Sequence, residues 1–146
     1  MAALTGPRDT KARGDVDSGR LDQFGVADAT TIYQGAICCL NAAGEVVPGT
    51  VSTSLTALGR ADNSHPLSTS ADQFLVGTRV GMFAYDSGTA GDAITKADRG
   101  KVCYIIDDQT VGLTDGGATR SKAGRVYDVD AEGVWVDFVY PMEVGA

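Results

Sequence analysis

The sequence predicts an all-β protein, mainly strands with one short helix, in which a small β-barrel or β-sandwich carries an extended N-terminal arm. From Gln34 onward, short apolar runs alternate with turn residues, which is typical of short strands joined by tight connections. Glycine supplies 19 of the 146 residues, about twice the usual ~7%, and has no collagen-like period, so turns are frequent. A hydrophobic content of 43% with 21% charged residues indicates one globular domain.

Residues 1–23 predict the arm, and residues 24–146 predict the β-rich domain. Large aliphatic side chains in the arm are limited to Leu4, Val16 and Leu21, which are too few to bury a face. We therefore expect the arm to stay disordered until it binds a surface. Fully extended, it would reach roughly 75 Å at ~3.3 Å per residue, far enough to contact a neighbouring molecule.

The strands of the domain follow in order. AICCL and EVVPG flank NAAG, in which Gly44 can take a positive φ, and together they predict a hairpin over residues 36–49. SLTALGRA (54–61) and FLVGTRVGMFAY (74–85) predict two further strands, separated by a polar loop. Gly77 and Gly81 inside the second run predict bulges or close backbone approaches.

The C-terminal half begins with the one predicted helical turn, TKADRG, which Thr95 caps and Gly100 ends. Four more strands are predicted by KVCYIID, QTVGLTD, RVYDVD and VWVDFVY. In the last run Val134 and Val136 alternate with Trp135 across the two faces. Trp135 is either a core residue or an interface anchor, and we favour the core.

The segment DVDAEGVWVDF, residues 128–138, begins like a calcium-binding loop, with acidic residues at alternate positions before Gly133. Val139 occupies the position where such a loop needs its bidentate carboxylate. The flanking runs also have the period of strands, whereas that loop lies between helices. DAEG therefore predicts a hairpin turn, and we expect no metal site.

Catalytic chemistry is not indicated by the sequence. A thiol nucleophile needs a base, and nothing relates the one histidine, His65, to Cys38, Cys39 or Cys103. Three cysteines without CxxC spacing predict buried free thiols rather than a disulfide framework or a zinc site. No phosphate-binding glycine motif is present. We expect the protein not to be an enzyme and to use no cofactor.

The formal charge is −7, from 12 basic and 19 acidic residues, and the excess acidity lies in the domain. An acidic body repels phosphates, so nucleic-acid binding is not expected. No run of ~18 apolar residues is available to span a membrane. The N-terminus lacks a basic stretch followed by an apolar one, and we expect the protein to be made and kept in a cytoplasm.

Three blocks of sequence together resemble the capsid decoration, or cement, proteins of tailed bacteriophages. They are GAICCLNAAGEVVPG, LTALGRADNS and the long block AGDAITKADRGKVCYIIDDQTVGLTDGGATRSKAGRVYDVDAEGVWVDF. The resemblance covers about residues 34–138, and the third block is its most specific part. It implies a small β-rich virion protein on the outer surface of the expanded head, with no catalytic residues.

The resemblance also implies the partners, which are the major capsid protein and two sister copies in a trimer at local threefold positions. Such a protein holds the capsid subunits together against the pressure of packaged DNA. Basic side chains of the arm can bind carboxylates, and its backbone can add a strand to a capsid sheet edge. The arm residues selected as capsid contacts are Thr5, Arg8, Lys11, Arg13 and Leu21. The candidate subunit-interface residues are Phe24 and Trp135.

A β-sandwich module that binds a receptor or a carbohydrate, displayed on the head, is the alternative from another class. The aromatic residues needed for stacking on sugars are few, because the chain has one tryptophan and five tyrosines, most of them inside apolar runs. Binding of a glycan in the absence of capsids would favour this module.

Removal of residues 1–22 is predicted to leave a folded body that binds capsids much more weakly, because the arm provides contact surface outside the domain. Co-sedimentation of the truncated protein with capsids measures the effect. Unchanged binding would exclude a role for the arm.

Overall fold

A computed structural model of the protein describes residues 2–13, 21–64 and 75–138, and for 12–13, 21–24 and 75–76 it describes the backbone alone. Within these ranges the regular structure is almost entirely β-strand, arranged in two sheets, which confirms the predicted all-β class. The strands are β1 (Ala12–Arg13), β2 (Leu21–Gly25), β3 (Ile37–Leu40), β4 (Val46–Pro48), β5 (Thr56–Ala61), β6 (Leu75–Arg79), β7 (Met82–Ser87), β8 (Val102–Ile105), β9 (Thr110–Gly112), β10 (Lys122–Asp130) and β11 (Gly133–Asp137).

The first sheet closes on itself. Its order is β1-β7-β11-β10-β8-β9, and β9 also pairs in parallel with β7, where Asp86 faces Thr110. Strands β7, β11, β10, β8 and β9 therefore form a ring of hydrogen-bonded neighbours, which is a small barrel. On the same edge of β7, β1 pairs beside the other end of the strand, where Ala12 faces Phe83.

The second sheet is antiparallel, with the order β2-β6-β5-β3-β4. Strand β3, which lies between β5 and β4, is buried on both faces. Successive side chains of a strand point to opposite faces, so Cys39 enters the core between the sheets, and Cys38 enters a second core on the far face. This explains the adjacent cysteines: both are free thiols in apolar surroundings, as predicted.

Two apolar cores result from this arrangement. The larger core contains the inward side chains of the barrel and of one face of the second sheet, including Phe83, Tyr85 and Phe138. The smaller core lies on the other face of the second sheet and contains Val26 and Ile32. Burial raises the pKa of the Cys39 and Cys103 thiols to about 12, so both remain protonated at neutral pH.

The run FLVGTRVGMFAY does not form the single strand that its apolar character predicts. It contains β6 and β7, which belong to different sheets, and Val80 and Gly81 form the corner between them. Val80 is buried, so the apolar run continues through the corner without a polar interruption. Hydrophobic pattern alone cannot reveal a change of sheet when both halves and the corner are buried.

The predicted turns are confirmed. Residues 41–45 connect β3 to β4, with Gly44 at φ +80°, and the Asn41 side chain accepts hydrogen bonds from the amides of Ala43 and Glu45. DAEG connects β10 to β11, with Asp130 facing Gly133. The Asp130 carboxylate accepts the amide hydrogen of Glu132 within this turn, at 2.8 Å.

The predicted helical turn is also present, as a 3₁₀ turn at Lys96–Asp98. The backbone N–H of Thr95 donates to the Asp98 carboxylate at 2.8 Å, as in a capping box. That hydrogen bond is the first of the contacts that hold the pKa of Asp98 below its ordinary value. A second 3₁₀ turn, Ala90–Asp92, was not predicted.

Trp135→Ala is expected to lower the free energy of unfolding by about 3–5 kcal/mol, because the indole is 5% exposed and its removal leaves a cavity. Denaturant unfolding measures the change. Val51→Ala is the control, since Val51 is 53% exposed and its truncation should cost within about 0.5 kcal/mol. A Trp135→Ala protein of normal stability that has lost self-association would instead identify Trp135 as an interface anchor.

Candidate functional site: the N-terminal strap

Residues 2–13, named here the N-terminal strap, lie along the surface of the body in an extended path. Exposure alternates along the strap, as in a strand. The side facing the body carries Leu4, Gly6, Arg8 and Thr10, whereas the side facing solvent carries Thr5, Pro7, Asp9 and Lys11. The strap ends in β1, and the Ala84 amide donates to the Lys11 carbonyl at 2.9 Å just before it.

The start of the strap is held at the loop between β8 and β9. The Leu4 amide donates to the Asp108 carboxylate at 2.8 Å, and the Gln109 side-chain amide donates to the Ala2 carbonyl at 2.6 Å. The Leu4 side chain packs against the smaller core. Both hydrogen bonds are made by backbone groups of the strap. They therefore hold the path of the chain and do not depend on which side chains the strap carries there.

Arg8 is the main side-chain anchor of the strap. Its guanidinium donates to Gln109 Oε1 at 2.9 Å and, at 3.4 Å each, to the Ala84 carbonyl and the Asp86 carboxylate. It also lies 5.5 Å from the centre of the Tyr85 ring, within the range of a cation–π contact. With 19% of its side chain exposed, Arg8 is directed at its own body rather than at a partner.

Thr10 is the most buried of strap residues 2–11, and Arg60 of β5 holds it. The Thr10 hydroxyl donates to the Gly35 carbonyl at 2.8 Å, and Arg60 donates to the Thr10 carbonyl at 2.9 Å. Arg60 in turn lies 4.3 Å over the Phe83 ring and donates to Asp62 at 3.1 Å. Arg8 of the strap and Arg60 of β5 thus each lie over an aromatic ring of β7. Together they hold the strap against both sheets.

Asp62 keeps this arrangement in place, because it binds Arg60 and also Arg79 of β6, the latter at 2.8 Å. The hydrogen bond from Arg79 is the main cause that lowers the pKa of Asp62 below its ordinary value. Asp108 shows the opposite effect. Its carboxyl group is nearly buried, and desolvation raises its pKa, although the Leu4 amide partly offsets this.

Gly35 gives the strap room to lie close to the body. Its φ of +92° favours glycine, and a Cβ built there would collide with the Arg8 carbonyl oxygen and the Thr10 hydroxyl. The Arg8 amide donates to the neighbouring Gln34 carbonyl at 2.9 Å. Beside this approach lies a polar cavity of about 130 Å³, lined by Arg8, Asp9, Thr10, Gln34, Gly35 and Arg60.

The predicted contact residues of the arm do not all face the same way in the structure. Thr5 and Lys11 face solvent, whereas Arg8 faces the body. Arg13 lies in β1, and Leu21 and Phe24 lie in β2, with side chains outside the described residues. The other predicted interface residue, Trp135, is buried on the face of β11 opposite Val134 and Val136. His65 lies outside the described residues.

The expected disordered arm and its boundary at residue 23 differ from the structure. Residues 2–13 are docked on the body, and the boundary falls inside β2, so removal of residues 1–22 also removes the start of that strand. The reason is that the strap is held by backbone and guanidinium hydrogen bonds, which a count of aliphatic side chains does not include. Sequence reasoning missed Thr10, Gly35, Arg60 and Asp108, whose partners are distant along the chain.

In the described parts of the chain, no three His, Cys, Asp or Glu side chains are grouped so that they could hold a metal ion. The same parts contain no helix that is long and apolar enough to span a membrane. No protein-family model, curated protein or solved structure matches the chain.

Asp108→Asn is expected to stabilise the protein at pH 7, because the amide oxygen can still accept the Leu4 N–H without a buried charge. The raised pKa of Asp108 means that its contribution to stability is present below the ordinary value of 3.8 and is lost as pH rises through the folded-state pKa. The advantage of the variant should therefore disappear near pH 3. Thermal unfolding across pH 3–8 measures it.

Asp62→Asn serves as the control with the opposite sign. Because the pKa of Asp62 is lowered in the folded state, its ionised carboxylate stabilises the protein above pH 3.8. This stabilisation is lost as pH falls through the lower folded-state pKa. We expect this variant to lose about 1–3 kcal/mol at pH 7, since hydrogen bonds to a charged group are removed. If both variants changed the unfolding temperature by the same amount at every pH, the opposite pKa shifts of Asp108 and Asp62 would be contradicted.

Proposed function

We propose that the protein is a structural virion protein that binds the outer surface of the expanded head of a tailed bacteriophage and stabilises its major capsid protein lattice. The observation that carries the proposal is the N-terminal strap. It presents one face to the body and a second face to solvent, within the segment whose composition predicts a contact arm.

The solvent-facing side of the strap suits contact with a second protein. Lys11 has 54% of its side chain exposed and forms an ion pair at 3.3 Å with Asp9, whose side chain is 91% exposed. An exposed pair of this kind contributes little to stability, so either member can turn to a partner at small cost. Thr5 and Pro7 extend the same side away from β1.

The barrel suits a protein that bears load on a capsid. Each barrel strand is hydrogen-bonded on both edges over part of its length, so pulling out one strand disrupts two ladders. The paired edges also offer few sites for aggregation. Strands β8 to β11, which form most of this barrel, come from the third and most specific block of the resemblance.

The mechanism follows from many modest contacts. A cement protein that contacts two or more capsid subunits adds a bridge to each lattice contact, and the copies act together on one particle. A trimer at a local threefold position triples the contacts made by one decorating unit. In this proposal Thr5 and Lys11 contact the capsid, and Arg8 positions the strap that presents them.

The test is to mix the purified protein with expanded heads that lack it, and to count bound copies while the temperature of DNA release is followed. Saturation at a fixed copy number with a higher release temperature is the expected result. Lys11→Glu should weaken binding about tenfold or more, because it places like charges against the acidic partner surface expected for Lys11. Lys96→Glu is the matched control, since Lys96 is exposed on the 3₁₀ turn of the body.

Absence of binding by the unmodified protein would overturn the proposed function. If the Lys11→Glu and Lys96→Glu variants bound expanded heads equally well, the strap would not be part of the capsid contact. Binding without any change in the release temperature would favour the receptor- or carbohydrate-binding module. For that module Tyr127 of β10, 42% exposed, is the aromatic side chain to substitute in glycan-binding assays.

A further inference from the structure

One edge of β7 is completed by two different parts of the chain. At its C-terminal end Asp86 and Ser87 pair with β9, and at its N-terminal end Met82 and Phe83 pair with β1. Between them the Ala84 amide donates to the strap at Lys11, and the Ala84 carbonyl accepts from Arg8. Without the strap, this half of the β7 edge would present backbone groups ready to accept an extended segment.

The strap contributes little to either core. Among strap residues 2–11, whose side chains the structure describes, none belongs to the larger core, and Leu4 is the apolar residue that packs against the smaller core, as a partly buried neighbour. Polar contacts of Arg8, Thr10 and the strap backbone provide most of the attachment. A segment held in this way opens at a lower free energy than the whole body unfolds.

The connection between the strap and the body is longer than the local geometry requires. Arg13 faces Met82, and Leu21 faces Arg79, so the two strand ends lie beside positions separated by only Val80 and Gly81. Seven residues, 14–20, join Arg13 to Leu21. At ~3.3 Å per residue the eight steps between them can span at most roughly 26 Å, so the length of the connection allows the strap to dock away from its own β7 edge.

We propose that the N-terminal strap exchanges between copies of this chain, each strap binding the β7 edge and the Gln34–Gly35 loop of a neighbour. The surface is specific for this segment. Gly35 leaves room for the backbone at Arg8, the acceptors around Arg8 match a guanidinium, and the Gly35 carbonyl accepts the Thr10 hydroxyl. A second copy carries the same segment, so the contacts within one chain and between two chains are the same, and exchange produces a closed oligomer.

Concentration distinguishes the two arrangements, because docking within one chain does not depend on it. The full-length protein is studied over a 100-fold dilution series, with molar mass from light scattering and with limited trypsin cleavage after Lys11. Exchange predicts an oligomer whose molar mass falls on dilution. The strap released by dissociation can dock on the body of its own chain through the same contacts, so slow cleavage after Lys11 is expected in both forms. A monomer whose Lys11 is equally protected at every concentration would overturn the proposal.

A mixing experiment covers an oligomer too stable to dissociate on dilution. Arg8→Ala gives a defective strap with an intact docking surface, and Gly35→Ala gives an intact strap with a blocked surface. Each variant alone should be cleaved rapidly at Lys11. After the two chains are denatured and refolded together, exchange predicts that protection returns for a fraction of the Gly35→Ala chains, identified by mass. Protection equal to the average of the separate samples would show docking within one chain.

Two control variants separate these effects from general destabilisation. Gly44→Ala introduces alanine at a similar positive φ of +80° with nothing within 4 Å of its Cβ, so it should leave strap protection unchanged. Lys96→Ala removes an exposed basic side chain on the 3₁₀ turn at Lys96–Asp98 and should behave likewise. All these measurements use the protein without capsids, so their outcome is independent of the capsid-binding proposal.

Discussion

The corner at Val80 and Gly81 is the constraint on which the rest of the structure depends. It directs one continuous apolar run into two sheets, so that β6 completes the second sheet and β7 becomes the shared strand of the barrel. The N-terminal residues follow the same corner, with β2 beside β6 and β1 beside β7. The position of the strap is therefore set by the body, before any partner is considered.

The strap is attached by a different kind of interaction from the one that stabilises the body. The two cores are apolar and buried, and their packing resists local opening. Arg8 and Arg60 instead lie over Tyr85 and Phe83 and use their remaining donors on carbonyls and carboxylates. Planar guanidinium groups suit this role, because they stack on rings while they donate hydrogen bonds in the plane. The result is a segment with a defined position whose attachment depends more on hydrogen bonds than on apolar packing.

This separation agrees with a role in assembly. In the proposed role a rigid barrel would keep its shape on the particle, while a strap with two faces would contact one surface through Arg8 and Thr10 and another through Thr5 and Lys11. Exchange of straps would connect neighbouring copies, and the solvent-facing side would remain for the capsid. The two proposals use opposite faces of the same segment, so they are compatible and can be tested separately.

The sequence by itself determined the all-β class, the hairpin at Asn41–Glu45, the turn at DAEG and the helical turn begun by Thr95, because these depend on local propensity and on the period of apolar residues. The buried free state of the cysteines was also predicted. Only the tertiary structure decided the corner at Val80, the ring closure between β7 and β9, and the docking of the strap through Arg8 and Gly35. Each of these depends on groups far apart in the chain, and a hydrogen bond between distant residues leaves no periodic signal in the sequence.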